Sequence, residues 1–445
     1  MHNLAIALRQ KGEQVSGSDD EIFEPSRSRL LKHGLLPETT GWFPEKIHPR
    51  LDAVVVGMHA KADNPELLRA QELQLPLYSY PDFLYSHARD KTRIVIGGSH
   101  GKTTITAMIL HVLKAVNIEA DYMVGAQLKG FEVMVRLSED APYMIMEGDE
   151  YPSSPTDLRP KFHIYQPHIA VISGIAWDHI NVFRTWDAYL DQFRQFIHCI
   201  KENGKLIYCS EDAVVRELCI EEATGSINLY PYGLPSYQTR GGLPTLFCQG
   251  RRYDMQLFGK HNLLNMEAAR LVCQQLGVKN NDFYAAMTRF KGASRRLELL
   301  YERDSVVVIR DFAHAPSKLR ATVEAVRERY PGHHLIACME LHTYSSLSSH
   351  FLSQYRGSMD MADEAIVFYS PHALEIKRLP PLDPQEVSAA FQKNGLKVIT
   401  GKDELEHLLY LRHDKAVCYL MMSSGSFGGF DTGDFLRHLD SSVNG

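Results

Sequence analysis

A glycine-rich segment between an apolar strand and an apolar helix contains the residue types that bind phosphate. The segment consists of Gly98, Ser99, His100, Gly101, Lys102, Thr103 and Thr104. Backbone N–H groups in such a turn can surround phosphate oxygens, Lys102 can reach the terminal phosphates, and Thr103 can offer its hydroxyl to Mg²⁺. The general pattern of these loops has a glycine where this chain has Ile96, so the loop is of a shorter form. A helix start that carries Gly-Lys-Thr by chance is the alternative, and the flanking strand and helix disfavour it.

Carboxylates follow a second apolar run. Glu147-Gly-Asp-Glu150 comes directly after residues 143–146, which have the pattern of a buried strand. Binding sites in parallel sheets form at the carboxyl ends of the strands, and a Mg²⁺ ion on a phosphate-loop hydroxyl commonly takes a second ligand from such an acid. We expect Glu147 to be that ligand, with Glu150 as the second choice. A solvated acidic turn is the alternative interpretation.

A histidine follows a third apolar run. Asp178 and His179 lie just beyond the strand that is predicted to end at Ser173, on the same side of the sheet as the phosphate loop. A lone histidine is more often structural, but a third polar group at a neighbouring strand end is typical of a site. The sequence therefore adds His179 to the candidate residues.

Polar residues downstream suit a nucleotide bound at a domain boundary. Asn262 and Asn265 stand one turn apart at a predicted helix start, where their amides can cap the helix or bind the edge of an adenine. Arg295 and Arg296 are adjacent at an expected domain boundary, and Asp311 follows the first strand of the last domain. Two cations, an aspartate and two amides together indicate nucleotide binding.

Helix and strand signals alternate along the chain, which is typical of α/β domains with mainly parallel sheets. Because 445 residues exceed one ordinary core, we predict three domains, at residues 1–90, 91–298 and 299–445. The first is predicted to be Rossmann-like, the second to resemble a P-loop ATPase, and the third to be Rossmann-like again.

The first domain is predicted to begin with a helix over Met1–Lys11 and a strand over Gln14–Ser18. Asp19 and Asp20 follow that strand, where an acid can bind a ribose hydroxyl or a base edge, and solvated turn acids are the alternative. A domain of this type usually opens with a strand and a glycine-rich turn, yet the sequence begins directly with the helix. We therefore expect that about a dozen upstream residues, enough for a strand and a tight turn, belong to the working protein.

Composition excludes several classes of protein. A hydrophobic content of 44%, a charged content of 23% and a net charge of -6 describe an ordinary globular protein and give no support to nucleic-acid binding. The sequence contains neither a long apolar run nor a signal-peptide pattern, so we expect a cytoplasmic location. The seven cysteines are never at metal-ligand spacing, and we expect them to be reduced and mostly buried.

Taken in chain order, these motifs resemble those of the Mur ligases of bacterial peptidoglycan synthesis, and the resemblance covers essentially the whole chain. The matching segments are Gly98 to Thr103, Glu147, Asp178-His179, Gly259 to Asn265, Arg295 to Glu298 and Asp311 to His314. Each motif alone is moderately specific, whereas the ordered set is highly specific.

The resemblance implies an ATP-dependent amide ligase with a UDP-sugar-binding, an ATP-binding and an acceptor-binding domain, and with ATP and Mg²⁺ as cofactors. In this family the lactyl carboxylate of UDP-N-acetylmuramate attacks the γ-phosphate of ATP, and the amine of the acceptor then displaces phosphate from the acyl phosphate. Three segments are most similar to the murein-recycling members, which add L-alanyl-γ-D-glutamyl-meso-diaminopimelate. They are Asp311 to Pro316, Glu150-Tyr151 and Ser423 to Gly429.

The resemblance also implies roles for single residues. The catalytic residues that it implies are Lys102, Glu147 and His179, and the metal ligands are Thr103, Glu147 and His179. The implied ATP contacts are the phosphate loop together with Asn262, Arg296 and Asp311, with Asn265 in support. The implied UDP-sugar contacts are Ser18 and Asp19.

Four positions depart from the family pattern. Gly174 and Ala176 stand where asparagine and glutamate are usual, Pro152 where the recycling ligases have aspartate, and Thr343 where many members have arginine. The polar environment of the metals is therefore thinner, and either the substrate differs or other residues meet the same geometry.

Two alternative functions stay open. The first is a ligase that adds a single L-alanine to the same sugar nucleotide. The second is a nucleotide-binding protein without ligase activity, which Gly174 and the missing first strand favour and which the retained Lys102, Thr103, Glu147 and His179 disfavour. In each case we expect a monomer or weak dimer, and for a ligase the partners are the sugar nucleotide and a murein peptide or amino acid, with no nucleic acid and no membrane.

Overall fold

The computed structural model describes residues 1–443 except 59, 129, 154–156, 178–179, 181, 304 and 412–414, and for residues 442–443 it describes the backbone alone. The chain divides into two compact units. The first comprises Met1–Ile175, Trp186–Gly233 and Asn265–Ala286, and the second comprises Ala176–Thr185, Leu234–Leu264 and Met287–Gly445. The domain boundaries predicted after residues 90 and 298 stay a prediction.

The first unit begins with short elements around a two-stranded parallel sheet. The elements are α1 (His2–Lys11), α2 (Ser26–Lys32), a 3₁₀ turn (Pro44–Lys46), β1 (Val54–Val56), α3 (Pro65–Glu72), β2 (Leu77–Ser79) and α4 (Tyr80–His87). β1 pairs with β2, with Val54 opposite Leu77. α3 begins where it does because the Asn64 side chain accepts the N–H groups of Glu66 and Leu67 at 3.0 and 3.1 Å.

The helix predicted at the start of the chain is confirmed, but the strand predicted over Gln14–Ser18 is wrong. That segment pairs with none of the described strands, and the following Asp19 makes only an isolated bridge with Gly41. Glycine, serine and aspartate have low strand propensity, so a short apolar signal there does not form a strand without a neighbouring partner.

The rest of the first unit surrounds a seven-stranded sheet. Its elements are β3 (Thr92–Gly97), α5 (Lys102–Ala115), β4 (Asp121–Met123), β5 (Val135–Arg136), β6 (Tyr143–Glu147), α6 (Lys161–Ile164), β7 (Ile169–Ile172), α7 (Trp186–His198), β8 (Lys205–Cys209), α8 (Ala213–Glu222) and β9 (Asn228–Tyr232). The strand order is β5-β4-β6-β3-β7-β8-β9, and all pairs except β4 with β5 are parallel. Ile94, Val95 and Ile96 are completely buried, because a central parallel strand is covered on both faces.

The second unit contains two sheets. A hairpin sheet has β10 (Tyr237–Arg240), β11 (Leu243–Cys248) and β12 (Arg251–Asp254). It is followed by α9 (Lys260–Gln275) and α10 (Asn280–Met287), of which the segment Asn265–Ala286 belongs to the first unit. The remaining elements are β13 (Glu298–Arg303), β14 (Val306–Asp311), α11 (Pro316–Arg329), β15 (His334–Glu340), α12 (Ser349–Leu352), a 3₁₀ turn (Ser353–Tyr355), β16 (Glu364–Phe368), α13 (Pro371–Lys377), α14 (Pro384–Phe391), β17 (Lys397–Ile399), α15 (Lys402–Leu409), β18 (Val417–Met422) and α16 (Thr432–Val443).

The larger sheet of the second unit has the strand order β13-β14-β18-β15-β16-β17, in which only β13 is antiparallel to its neighbour. Two apolar clusters cover its two faces. The prediction of an α/β chain with mainly parallel sheets is therefore confirmed.

Two expectations about composition can be compared with the structure. All seven cysteines are free, and five of them are buried. Within the described residues, no helix combines the length and apolar character needed to cross a membrane.

Candidate active site

The glycine-rich loop begins at the centre of the seven-stranded sheet. β3 pairs with β6 on one side and with β7 on the other, so that Ile96 stands opposite Glu147 and Gly97 opposite Ile172. After β3, the chain forms β4, β5 and β6 on one side of β3 and then crosses to the other side to form β7. This change of side makes the end of β3 a topological switch point. The residues that follow β3, β6 and β7 therefore lie beside one another.

Two glycines of the loop cannot be replaced by a residue with a side chain. Gly98 has φ +127°, and a carbon attached to its Cα would lie 2.3 Å from Oγ of Ser173. Gly101 has φ +85°, and its added carbon would lie 2.5 Å from Oδ1 of Asn265. Both the left-handed backbone and the close approach require glycine at these positions.

His100 lies against Gly174, one of the positions that depart from the family pattern. A carbon attached to Gly174 would lie 2.1 Å from Cε1 of His100, so the imidazole occupies the space that a side chain at position 174 would need. Ser173 donates its hydroxyl to the carbonyl of His100, and Ser99 donates its N–H to the carbonyl of Gly174 at 2.9 Å. The loop is thereby attached to the end of β7 on both sides of the histidine.

Lys102 is the first residue of α5 and points back along the loop. Its Nζ donates to the carbonyl of Gly98 at 2.7 Å and to Oε2 of Glu150 at 2.6 Å, and it lies 3.9 Å from Oδ1 of Asp149. Burial works to lower the pKa of Lys102, but the facing carboxylates outweigh it and hold the pKa above its usual value. The amine is therefore a fixed cation at the mouth of the loop.

Thr103 and Glu147 form a buried pair beside that cation. Oγ1 of Thr103 donates to Oε2 of Glu147 at 3.1 Å, whereas Oε1 of Glu147 is buried and has no hydrogen-bond partner among the described residues. Burial raises the pKa of Glu147 to about 7, and the neighbouring Asp149 carboxylate acts in the same direction. A buried carboxylate oxygen without a donor suits a cation that the protein does not itself supply.

The Thr103 and Glu147 oxygens fit a Mg²⁺ ion only together with ligands from a nucleotide. The described residues contain no group of three histidine, cysteine, aspartate or glutamate side chains that could hold a metal ion alone. Mg²⁺ usually binds through one or two protein oxygens, water and substrate phosphates, which is consistent with one hydroxyl and one carboxylate here.

Asp149 connects the acidic segment to a second lysine. Its Oδ2 accepts from Nζ of Lys161 and from the hydroxyl of Tyr151, both at 2.8 Å. Burial alone would raise the pKa of Asp149, but Lys161 and Lys102 outweigh it and hold the pKa below its usual value. Asp149 therefore stays charged between two ammonium groups.

In the second unit, Asp311 is the last residue of β14, and its carboxylate accepts hydrogen bonds from two backbone N–H groups. Its Oδ2 accepts the N–H of Leu297 at 2.6 Å and its Oδ1 accepts that of Ala313 at 2.7 Å. Arg295 and Leu297 have φ values of +55° and +43°, a backbone region that side-chain-bearing residues rarely adopt. Asp311 therefore stabilises a strained turn and, with it, the position of Arg296.

Arg296 and Asn262 are held by local contacts. The Arg296 guanidinium lies 4.6 Å from the centre of the Phe312 ring. Asn262 is buried near the start of α9, and its Nδ2 donates to the carbonyl of Phe258 at 2.9 Å. These contacts hold both side chains in place and do not identify a ligand for either of them.

A second buried glutamate lies at a strand end in the second unit. Glu340 ends β15, and its Oε2 accepts the hydroxyl of Ser423 and the N–H of Phe427, the latter at 2.8 Å. Nδ1 of His342 lies 3.6 Å from Oε1. A carbon attached to Gly425 would lie 2.8 Å from Glu340 and from His342, so the segment 423–427 packs directly on this carboxylate.

Comparison with known proteins identifies the family. Three family models match: "Mur ligase family, catalytic domain" at residues 1–92, "Mur ligase middle domain" at 96–273, and "Mur ligase, glutamate ligase domain" at 295–424. The UDP-N-acetylmuramate–L-alanine ligase of Limosilactobacillus reuteri is 30% identical over 382 residues, which cover 82% of each chain. The chain belongs to the Mur ligase family. Mur ligases are ATP-dependent amide ligases, so the prediction of a ligase is confirmed.

Relatives of this Mur ligase carry two different activities in their names. The UDP-N-acetylmuramate–L-alanyl-γ-D-glutamyl-meso-2,6-diaminoheptandioate ligase of Haemophilus influenzae is 27% identical over 442 residues, which cover 96% of this chain and 94% of the relative. Among solved structures, a murein peptide ligase from Psychrobacter arcticus has a TM-score of 0.68 at 22% identity and covers 99% of this chain and 96% of its own. The UDP-N-acetylmuramate–alanine ligase of Thermotoga maritima has a TM-score of 0.72 at 18% identity, with coverages of 99% and 97%. The fold is thus the three-domain architecture of these neighbours.

The structure brings together only part of the predicted site of the Mur ligase. The phosphate loop, Glu147 and Asn265 meet in the first unit, and Arg296 and Asp311 are linked through one turn in the second. Asp178 and His179 lie outside the described residues. The ligand roles predicted for all of these residues stay predictions.

The residues predicted to contact the UDP-sugar lie on the segment between α1 and α2, where Asp19 forms an isolated bridge with Gly41. Ser18 is half-buried and accepts from Nζ of Lys46 at 3.4 Å, whereas Asp19 is exposed. Burial of part of the carboxylate and the adjacent Asp20 raise the pKa of Asp19. Neither contact tests the prediction that these residues bind a sugar nucleotide.

Sequence reasoning missed residues that support the site of this Mur ligase. Ser173 and Glu340 each stand at or just after the carboxyl end of a parallel strand, and this position alone could have suggested them. Ser423 lies in a segment that the resemblance had indicated, but its contact with Glu340 was not predicted. Asp149 lies between the two predicted carboxylate ligands, Glu147 and Glu150. Tyr189 lies in the amphipathic helix α7, where nothing in the sequence distinguishes it from an ordinary core residue.

Proposed function

We propose that this Mur ligase joins UDP-N-acetylmuramate to L-alanyl-γ-D-glutamyl-meso-diaminopimelate in murein recycling, using ATP and Mg²⁺. The observation that carries the nucleotide part is the buried pair of Thr103 and Glu147 beside the Lys102 ammonium, with one carboxylate oxygen left without a donor among the described residues. The names of relatives that span nearly the whole chain support the sugar nucleotide and the peptide.

The residues of the first unit suit transfer of the γ-phosphoryl group to a carboxylate. An anion must approach an anion in this step, so positive charge has to stand on the phosphoryl oxygens before attack. Lys102 is held as a cation at the mouth of the loop, and the loop N–H groups at the start of α5 add the positive end of a helix dipole. Thr103 and Glu147 would hold Mg²⁺, which supplies further neutralising charge on the phosphates when bound.

The remaining proposed nucleotide contacts are Asn262, Arg296 and Asp311. Asp311 is engaged by two backbone N–H groups, so its first effect is to fix the turn that carries Arg296. By resemblance, His179 belongs to a second metal near the reacting carboxylate, and Ser18 and Asp19 contact the UDP-sugar.

The acceptor is proposed from the carboxyl edge of the sheet in the second unit. Ser423 to Gly429, the segment that resembles the recycling ligases, is held on Glu340 through Ser423 and Phe427. Glu340 also faces His342, which precedes the Thr343 that departs from the family pattern. This polar edge is where a peptide acceptor is expected to bind in a parallel sheet.

A ligase for L-alanine is the second candidate. It is favoured by a specific observation, since several relatives named as UDP-N-acetylmuramate–L-alanine ligases match most of this chain, one of them at 30% identity. The relatives with the two activities are similar to this chain to nearly the same degree. Kinetics with the two acceptors is the direct way to separate the candidates.

The deciding experiment measures ADP release with UDP-N-acetylmuramate and, separately, L-alanine, the dipeptide and the tripeptide. Because a long charged acceptor positions its amine through remote contacts, we expect kcat/KM for the tripeptide to exceed that for L-alanine by roughly a hundredfold or more. Equal values, or a preference for L-alanine, would favour the second candidate.

Lys102→Ala is the matched control for that assay. It removes the loop cation, which acts on charge in the transition state, and should reduce ADP release per folded molecule by at least about a hundredfold. Because the change also leaves the buried Glu150 carboxylate without its cation, the melting temperature should fall, and the folded fraction is measured alongside the rate. If the wild-type protein binds ATP but releases no ADP with any acceptor, the chain is a nucleotide-binding homologue without ligase activity. We further propose a cytoplasmic location, in keeping with these substrates.

A further inference from the structure

Glu150 has contacts that the nucleotide site described above does not use. Its side chain is 1% exposed, Oε2 accepts from Nζ of Lys102 at 2.6 Å, and Oε1 accepts from the hydroxyl of Tyr189 at 3.2 Å. The carboxylate therefore faces a donor on each oxygen. In this respect it differs from Glu147, whose Oε1 faces no donor in the described part of the chain.

Tyr189 extends this contact to the phosphate loop. The tyrosine lies on α7, is completely buried, and its hydroxyl oxygen is 2.7 Å from Oγ of Ser99. Ser99 is itself a loop residue, three positions before Lys102. One carboxylate thus connects two points of the loop, the Lys102 ammonium directly and the Ser99 hydroxyl through one phenol.

We propose that Glu150 is a positioning residue, which fixes the Lys102 ammonium and, through Tyr189, the Ser99 hydroxyl, so that the phosphate loop holds one conformation before nucleotide binds. This inference rests on the proposed function, because it concerns the same loop. It replaces the expectation that Glu150 is an alternative metal ligand.

A lysine side chain loses rotamer entropy when it is fixed, so a buried carboxylate that orders it before ATP arrives removes that loss from the reaction. A negative charge beside the phosphates does not strengthen the binding of ATP itself, so the benefit of Glu150 appears in the rate of the chemical step rather than in affinity.

Glu150→Gln keeps the shape of the side chain and removes its charge. We expect kcat to fall about tenfold or more, because the ammonium is no longer fixed, while Kd for ATP with Mg²⁺ changes by less than about twofold or becomes tighter. Glu150→Asp, which keeps the charge, should recover part of kcat. Lys102→Ala is the contrasting variant, since it should weaken ATP binding as well as turnover.

Two hydroxyl deletions provide a matched pair. Tyr189→Phe removes the link between Glu150 and Ser99, whereas Tyr85→Phe removes a hydroxyl that donates to Gln166 Oε1 at 3.0 Å, outside the described site. We expect Tyr189→Phe to lower kcat in the same direction as Glu150→Gln but less, and Tyr85→Phe to stay within about twofold of wild type.

Hydrogen exchange tests the role of Glu150 without depending on enzyme activity. Hydrogen exchange of the amides of residues 97–103 in the nucleotide-free protein should be several-fold faster in Glu150→Gln and Tyr189→Phe than in wild type, and unchanged in Tyr85→Phe. Equal protection in all four proteins would overturn the proposal. If wild type turns over no acceptor, the proposed function has failed, and this exchange measurement still decides the role of Glu150.

Two kinetic outcomes would also overturn the proposal. A higher Mg²⁺ requirement together with weaker ATP binding in Glu150→Gln would make Glu150 a metal ligand. A lower melting temperature with unchanged kcat per folded molecule would make its role only structural.

Discussion

Glu147 and Glu340 occupy equivalent places in two different sheets, yet their surroundings are opposite. Each is the last residue of a buried parallel strand, and the two residues are 4% and 2% exposed. Glu147 receives a hydroxyl on one oxygen and has no partner for the other among the described residues. Glu340 receives a hydroxyl and an N–H on one oxygen and faces a histidine with the other.

The difference appears in the proton affinity of the two groups. Burial raises the pKa of Glu147 to about 7. Burial acts in the same direction on Glu340, but the surrounding donors outweigh it and the pKa lies below its usual value. A glutamate at the end of such a strand is therefore expected to be buried. Whether its carboxylate needs an added cation or stabilises the fold depends on the hydrogen-bond donors that surround it.

The largest expected effect is loss of activity in Glu147→Gln. The amide cannot replace a carboxylate as a ligand for Mg²⁺, so ADP release should fall by at least about a hundredfold. The fold should not suffer, because the change removes a buried charge that lacks a full set of donors. Steady-state kinetics and urea unfolding measure the two effects, and a large loss of stability would contradict the difference drawn between the two glutamates.

Glu340→Gln should lower the stability of the fold and leave ATP binding nearly unchanged, the reverse of what is expected for Glu147→Gln. The amide group keeps one acceptor but loses the charge that the Ser423 hydroxyl and the Phe427 N–H both bind, so the free energy of unfolding should fall by roughly 1–3 kcal/mol. Urea unfolding monitored by circular dichroism gives this value. ATP binding, measured by calorimetry on the folded variant, should stay within about twofold of wild type. Equal effects of the two substitutions on stability would remove the distinction.

Much of the first site could be predicted from sequence, because its elements are contiguous. The strand, the glycine turn and the helix follow one another within residues 92–115, and each has its own local signal. Glu147 was predictable for the same reason, since a carboxylate directly follows an apolar run. Local patterns are sufficient when strand, turn and helix form the site themselves.

Contacts between distant segments were not predictable. The sequence shows that Gly174 stands where asparagine is usual, but it does not show that the His100 ring lies against this glycine. Glu150 is connected to Ser99 through the hydroxyl of Tyr189. Tyr189 lies about 40 residues after Glu150, on a helix with an ordinary amphipathic pattern. Glu340 likewise depends on the segment 423–427, and no periodicity links two segments so far apart.

The pH dependence of stability should have opposite signs at the two glutamates. For Glu147 the folded pKa is raised from 4.5 to about 7, so the folded state holds the proton more tightly and wild type loses stability relative to Glu147→Gln as pH rises through that window. For Glu340 the folded pKa is lowered, so the advantage of wild type over Glu340→Gln is present above the unfolded value of 4.5 and is lost as pH falls through the folded pKa. Urea unfolding of the three proteins between about pH 3 and 8, without metal, measures both differences. Differences of the same sign would show that the donors do not set these two pKa values.

The smallest expected effect comes from the glycine that stands against each carboxylate. A carbon attached to Gly425 would lie 2.8 Å from Oε2 of Glu340 and equally close to the His342 ring, and both groups are fixed by their contacts. A carbon attached to Gly125 would lie 3.0 Å from Oε2 of Glu147 and approaches nothing else as closely. Gly425→Ala should therefore lower the free energy of unfolding by about 1–2 kcal/mol, and Gly125→Ala by less than about 1 kcal/mol, because the less constrained Glu147 can shift by a few tenths of an ångström. Melting temperatures of the two variants provide the comparison. If Gly125→Ala were the more damaging of the two, Glu147 would be held as rigidly as Glu340 in spite of its missing donor.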